Sequence, residues 1–465
     1  MTNSVRNLDA SVVEKFASQV RGKITLPGDP SYDDTRKVYN GMIDKHPGMF
    51  VKCVDVADVI HSVNFGRENG LLVSVRGGGH NAGGLGLCDD GLVIDLSGIK
   101  FVLVDPKEKT VRVGGGNLWG EVDHATHPFG LAVPAGIVST TGVGGLTLGG
   151  GVGYLARKYG LTIDNLLEAD MVLADGTFVT VSANQNSDLF WAIRGGGGNF
   201  GIVTSFKFRA HPVKNVFGGP TLWPIEKTNE IMKWYHQFIH NAPDELNGFI
   251  ATLVIPGPPF PESLHKKQFC GIVWCYVGEL EKAEEVFKPI LAMDPIFQHV
   301  GPMPYPAIQT MFDGLLPSGM QWYWRADFFD DLGPELSARH KEHGSKIPTP
   351  LSQMHLFPLT GAVGRVSKDE TPWAYRDAKY AGVIIGVDPD PANASKITEW
   401  TKNYWEALHP YSSGGAYLNF TMNEGQERIK ASYRGNYERL AKLKKKYDPN
   451  NFFRVNQNIL PVESN

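Results

Sequence analysis

A two-lobed α+β fold is predicted by three observations on this sequence. Its first half reads as short β-runs joined by tight turns, without the strict strand-helix alternation of a doubly wound domain. After His211-Pro212-Val213 the pattern changes to aromatic strands separated by helical stretches. The 465 residues, 42% of them hydrophobic, bury a large core and exceed one average domain. The units expected are 1–213, then a second lobe over 214–425 built on an antiparallel sheet flanked by helices, then 426–465 returning to the first lobe.

Ala10 to Val20 is a charged amphipathic stretch, where a secretory signal needs a continuous apolar core, so a cytoplasmic location is expected. Leu71 to Val75 is apolar and β-prone. Val93 to Leu96, Phe101 to Asp105 and Val111 to Val113 follow as short strands. Met171 to Ala174 and Phe178 to Val181 flank Asp175-Gly176, a hairpin signal because glycine accepts positive φ without steric cost. In the second lobe the strands expected are Phe249 to Ile255, Phe269 to Tyr276, Met320 to Phe328, Gly382 to Val387 and Ala416 to Met422. Pro256-Gly257-Pro258-Pro259 and Pro302 to Pro306 read as loops. Ile429, Tyr433, Tyr437, Leu440 and Tyr447 recur at helical spacing, and Asp448-Pro449 should stop that helix.

Composition removes several function classes. Lys+Arg 45 against Asp+Glu 49 is nearly balanced, and no basic run stands beside aromatics, so no nucleic-acid partner is expected. Ala125 to Ala156 lacks charged residues but is broken by Pro128, Pro134 and many glycines, so its backbone could not satisfy itself in lipid. Cys53, Cys88, Cys270 and Cys275 show no C-x-x-C pattern and read as buried free thiols, with Cys270 and Cys275 on opposite faces of one strand. His124 with His127, and His340 with His343, have helical spacing but no carboxylate or cysteine pattern to complete a shell. His343 stands in a charged segment that reads as a solvated helix, and no metal is predicted.

The chemistry is concentrated in glycine. Arg76-Gly77-Gly78-Gly79-His80-Asn81 puts an imidazole behind three residues without Cβ atoms, whose N–H groups can approach a pyrophosphate closely. A second constellation runs from Gly142 to Tyr154 and a third from Arg194 to Thr204. Any one of them alone could be a permissive turn. Gly151-Val152-Gly153-Tyr154-Leu155-Ala156, with Asp170 beyond it, also satisfies the dinucleotide pattern of a nicotinamide-linked dehydrogenase. That pattern should follow a hydrophobic strand directly, however, and here a glycine tract precedes it.

Taken with Phe453 to Ile459, Leu161 to Asn165, Asp188 to Arg194 and Tyr447 to Phe452, these motifs resemble the vanillyl alcohol oxidase / p-cresol methylhydroxylase flavoproteins over nearly the whole chain. Within them the sequence is similar to the berberine bridge enzyme-like branch, particularly its bacterial 6-hydroxy-D-nicotine oxidase-like members. The resemblance implies a two-lobed p-cresol methylhydroxylase-type fold and an FAD cofactor. It places Arg76, Gly77, Gly78, Gly79, His80, Asn81, Thr140, Thr141, Gly144, Gly145, Gly149, Gly151, Gly153, Asn165, Gly201, Ile202, Val203, Asn456 and Asn458 against FAD. It implies an 8α bond from His80, and Val138 stands where bicovalent relatives carry a cysteine, so a single attachment is expected; the plain alternative for His80 is an unbonded loop residue.

A small molecule such as an alkaloid-like ring, alcohol or sugar would then lose hydride from a C–H beside a hydroxyl or amine, with O2 as acceptor and H2O2 as product. The alternatives are a dehydrogenase using another acceptor, or a catalytically silent flavin-containing binding protein. Tyr417, paired with Asn419, is the first candidate base, and its plain alternative is a core tyrosine with a satisfied hydroxyl. His355 and Tyr323 are further candidates, and Trp322, Tyr323, Trp324 and Phe357 suggest an aromatic-lined cavity.

Overall fold

The computed structural model describes residues 3–463. In the first lobe a four-stranded sheet runs in the order Lys23–Thr25, Met49–Lys52, Leu92–Asp95, Val73–Arg76, with parallel pairing on both sides of Leu92–Asp95. A five-stranded antiparallel sheet follows, in the order Val102–Asp105, Thr110–Gly114, Ile202–Arg209, Leu166–Val172, Phe178–Ser182. Its hairpin turns at Asp175-Gly176, where Gly176 has φ +86°. The dinucleotide pattern at Gly151 follows the helix Val143–Gly149 instead of a strand, and Asp170 is held by Arg112 (2.8 Å) and Thr180 (2.8 Å). That disposition leaves the nicotinamide reading without its strand.

The second lobe is an eight-stranded antiparallel sheet. Strands Asn215–Pro224, Gln268–Tyr276, Leu246–Val254, Gln353–Pro358, Tyr380–Asp388 and Gln321–Phe329 lie side by side in that order. Period-two alternation divides its side chains. Ile250, Ile272, Trp274 and Ile384 pack under the helices Thr228–Asn241 and Ala394–Leu408, through Ile231, Tyr235 and Tyr404. Phe249, Ala251, Val273, Phe357, Val383 and Ile385 face the first lobe and share a core with Tyr39, Val152 and Tyr417. Cys270 and Cys275 fall on these opposite faces, and all four cysteines are buried and free.

Four expectations are corrected. Pro302 to Pro306 is no loop: Gly301–Pro304 pairs as a strand with Asn215–Pro224, and Tyr305–Thr310 is helical. Ala416 to Met422 is no strand: Leu418–Phe420 forms a 3-10 turn, because Tyr417 and Asn419 spend their side-chain hydrogen bonds on the glycine loop at 146–151. The helix after Gly425 is two helices, Gln426–Tyr433 and Tyr437–Tyr447, broken at Arg434 with φ +47°. Asn436 anchors the break by donating to the Lys368 and Thr371 carbonyls at 2.9 and 3.1 Å. The helix Pro334–Gly344 is not solvated around His340, which is fully buried against the Tyr404 hydroxyl at 2.7 Å. No helix among the described residues is long and apolar enough to cross a membrane.

The lobes also meet through Asp123, buried on the helix Trp119–Thr126, which accepts from Gln309 Nε2 at 3.3 Å. Its other oxygen has no partner, and burial pushes its pKa up to about 7. The folded state therefore holds a proton that the unfolded chain releases near pH 4. Asp123 thus contributes stability that is fully present below about pH 4 and is lost as pH rises toward 7. Asp123→Asn is expected to flatten that fall and to raise stability at pH 8 by on the order of 2–4 kcal/mol. Urea unfolding of both proteins at pH 5 and pH 8 checks it, and parallel losses in the two proteins count against Asp123.

Candidate active site

A cavity of about 340 Å³ lies between the glycine loops and the inner face of the second sheet. The strand Val73–Arg76 delivers Gly77 to Gly79 to its edge, and Arg76 is fixed there by Asp95 at 2.6 Å. Two glycine loops touch backbone to backbone: a Cβ on Gly78 would stand 2.5 Å from Gly142 N, and one on Gly142 would stand 2.4 Å from Gly78 N. Only residues without side chains permit that approach. At Gly145 the Cβ position meets nothing within 4 Å, so this loop opens into the cavity.

His80 stacks on Tyr39 with centroids 4.0 Å apart, and Tyr39 stacks in turn on Trp322 at 4.8 Å. His80 Nε2 is hydrogen-bonded to Thr140 Oγ1 at 2.9 Å. Burial pushes the His80 pKa down to about 4, so at neutral pH the imidazole is uncharged. In the tautomer whose Nε2–H donates to Thr140, Nδ1 keeps a lone pair able to bond carbon. Val138 also lines the cavity and offers no nucleophile.

On the opposite side stands Tyr417, fully enclosed. Gly151 N–H donates to its oxygen at 2.8 Å, and Asn419 Nδ2 donates at 2.7 Å while also reaching the Leu146 carbonyl at 3.0 Å. Both phenolic lone pairs are thereby filled, and the hydroxyl hydrogen is left to seek an acceptor elsewhere. Burial pushes the Tyr417 pKa up to about 12, against the pull of the N–H groups of Gly151, Asn419 and Val152. Gly149 makes the arrangement possible, since a Cβ there would lie 2.0 Å from Asn419 Oδ1.

The other two catalytic candidates fare differently. His355 lines the cavity, but its Nε2–H donates to Gln353 Oε1 at 2.8 Å, and burial pushes its pKa down to about 3. An imidazole so weakly basic is a poor proton acceptor at neutral pH. Tyr323 is a correction. Trp322 and Trp324 face the cavity, so strand alternation sends Tyr323 to the far face of the sheet, where its hydroxyl accepts from Arg325 at 3.2 Å.

Of the residues expected against FAD, Arg76, Gly77, Gly78, Gly79, His80, Asn81, Thr141, Gly144, Gly145, Gly149, Gly201, Ile202, Val203 and Asn456 line the cavity. Five do not. Thr140 serves His80, and Gly151 lies under Thr162, its Cβ position 2.0 Å from Oγ1. Gly153 packs against the Ala135 carbonyl, where a Cβ would come within 2.0 Å. Asn165 turns back to the Tyr159 and Leu161 carbonyls at 2.9 Å each, and the Asn458 carbonyl accepts from Gln426 at 3.0 Å. Tyr39, Ile137 and Leu316 are lining residues that no motif singles out. The cavity suits FAD: glycine backbones open one end, aromatic rings close the other, and Asn456 Oδ1 on its wall is buried with no partner.

This fold and site define a flavin-dependent oxidoreductase, and comparison with known proteins carries the assignment further. The FAD binding domain model matches residues 47–182, and the berberine and berberine-like model matches residues 416–460. An FAD-linked oxidoreductase of Dictyostelium discoideum is 32% identical over 97% of this chain and 98% of its own length. The chain belongs to the berberine bridge enzyme-like FAD-linked oxidoreductases. The (R)-6-hydroxynicotine oxidase of Paenarthrobacter nicotinovorans is 27% identical, over 96% of this chain and 98% of that protein. Among solved structures, 6-hydroxy-D-nicotine oxidase from Arthrobacter nicotinovorans superposes with a TM-score of 0.85 at 25% identity, covering 95% of this chain and 98% of that one. Physcomitrella patens BBE-like 1 does so with 0.87 at 25% identity, covering 98% and 100%.

Proposed function

We propose that the protein is an oxidase of a small alcohol or amine, with FAD held by one covalent bond from His80 and Tyr417 removing the heteroatom proton. The observation that supports this reading most is the doubly hydrogen-bonded Tyr417 oxygen, set on the cavity that the His80 loop also lines. Held by these loops, FAD would supply the hydride acceptor, with O2 as the proposed final acceptor and H2O2 as product. A substrate would lie against the aromatic wall with its O–H or N–H toward Tyr417. In its phenolate form, reached as pH rises toward its raised pKa, Tyr417 would be held by Gly151 N–H and Asn419 Nδ2–H and would take the heteroatom proton. A panel of small alcohols and amines, followed for flavin bleaching under nitrogen and for peroxide on admission of air, tests the reading. Failure of every member to bleach the flavin would overturn it.

Attachment is tested separately. Acid precipitation should leave yellow colour in the pellet of the native chain and move it to the supernatant for His80→Ala. Colour lost from the native pellet would rule out the bond. Oxygen entry is assigned to the cavity edge at Thr141, whose modest side chain stands just before the Gly142 loop. Thr141→Leu is expected to slow reoxidation of the photoreduced enzyme about tenfold or more, a barrier increase of about 1.4 kcal/mol, while anaerobic reduction by substrate stays within a small factor. Equal reoxidation rates in stopped flow would remove Thr141 from that role.

A further inference from the structure

Beside the main cavity lies a second, smaller one of about 60 Å³, and the two share Ile137, Leu316 and His355 as walls. Its floor is the inner face of the sheet at Phe249, Ala251 and Val273. Phe249 stacks on Phe357 of the main cavity with centroids 4.9 Å apart and meets the His355 ring at 5.0 Å, so the aromatic wall runs without interruption from one compartment into the next. On the far side Leu253, Phe312, Leu315 and Leu351 are only half-buried, and they border the space that would cover them.

The polar groups around this second space are already engaged. Gln353 Oε1 accepts from His355, and Ser352 Oγ donates to the Val387 carbonyl at 3.3 Å while accepting from Val387 N–H at 2.9 Å. No Asp, Glu, Lys or Arg lines it among the described residues. In the main cavity Arg76 is the only such side chain on the wall among the described residues, neutralised by Asp95 at 2.6 Å. A sugar would bring hydroxyls with few partners to meet them, and a carboxylate or ammonium would find no counter-charge. Burying either uncompensated is unfavourable, whereas each methylene placed there leaves water.

We propose that the substrate is an uncharged molecule with an apolar arm, which passes between His355 and Leu316 and lodges in this second compartment. The inference rests on the oxidase reading, because it takes the reacting end to lie at Tyr417. Its test is a binding measurement and needs no turnover. The holoenzyme is titrated under nitrogen with 4-alkylphenols from methyl to pentyl, read by flavin difference spectra and by quenching of tryptophan fluorescence. Affinity should rise about fourfold per added methylene until the arm is full. At the pentyl length, the benzoate and benzylammonium analogues should bind at least about tenfold more weakly than the phenol. In Leu351→Trp, which fills the compartment from its loop side, the pentyl-to-methyl affinity ratio should collapse.

A flat series in the native enzyme overturns the proposal, even if Leu351→Trp fails to fold. A ratio that survives in a folded Leu351→Trp, or a charged analogue binding as well as the phenol, also overturns it. Failure of the oxidase reading appears elsewhere, as a flavin that no alcohol or amine bleaches while the binding series keeps its slope.

Discussion

Tyr417→Phe is expected to slow anaerobic flavin reduction by roughly 10²–10⁴-fold, the range general-base assistance contributes. Binding should change less, because the ring body stays. It packs edge-on against Phe420 at 4.6 Å and Trp373 at 6.3 Å, and neither contact needs the hydroxyl. The sign of the pH dependence follows from the active form. A base works deprotonated, so the native reduction rate should climb with pH along a limb that the variant lacks. The substitution also leaves Gly151 N–H without its acceptor in a buried site, at about 1–3 kcal/mol, so urea unfolding should show a modest loss. Stability loss alone does not flatten a pH limb, which separates the two roles. Unchanged reduction by a true substrate would place the base elsewhere. His355 is too weakly basic to inherit the role, and Tyr323 is on the wrong face of the sheet.

Much of the scaffold was legible in the sequence because local signals and burial agree there. Asp175-Gly176 makes its turn where glycine relieves positive φ, and the aromatic strands of the second lobe alternate as period-two patterning requires. The same rule separates Tyr323 from Trp322 and Trp324, although the sequence reading placed all three on the cavity. What the sequence concealed is non-local. Ala416 to Met422 has strand-like composition, yet its conformation is set by hydrogen bonds to a loop more than two hundred residues earlier in the chain. Among the glycines, composition alone does not tell which face the cavity, as Gly145 does, and which are small because a carbonyl presses on them, as Gly153 is. Tyr39 carries no motif, and only the fold brings it onto His80. Lys444, within Lys442-Leu443-Lys444-Lys445-Lys446, is completely buried, and nothing in that local composition signals it.

That buried lysine carries the second large expected effect. Lys444 Nζ donates to Asp448 Oδ2 at 2.7 Å, to the Asn199 carbonyl at 2.7 Å and to the Phe453 carbonyl at 2.8 Å, so its three donors are all used. The knot ties the last helix to the third glycine loop. Asn199 extends it by donating to the Gln457 carbonyl at 3.0 Å and accepting from Ile459 N–H at 2.9 Å. Phe453, Asn456 and Gln457, all on the cavity wall, are positioned by this closure. Lys444→Met takes the counter-charge from a buried carboxylate and one donor from each of two carbonyls, and breaking such a pair from one side costs about 3–5 kcal/mol. Lys446→Ala, two residues on, removes an exposed ion pair to Asp188 and should cost no more than about 1 kcal/mol. Urea unfolding of the two variants should therefore separate them clearly. Adding Asp448→Asn to Lys444→Met should recover part of the loss, since the orphaned charge then disappears; the recovery stays partial because the single amide oxygen keeps only one of the Phe452 and Phe453 N–H donors, which now go to different carboxylate oxygens. Equal losses in the two single variants would show that the buried knot does not hold the return segment.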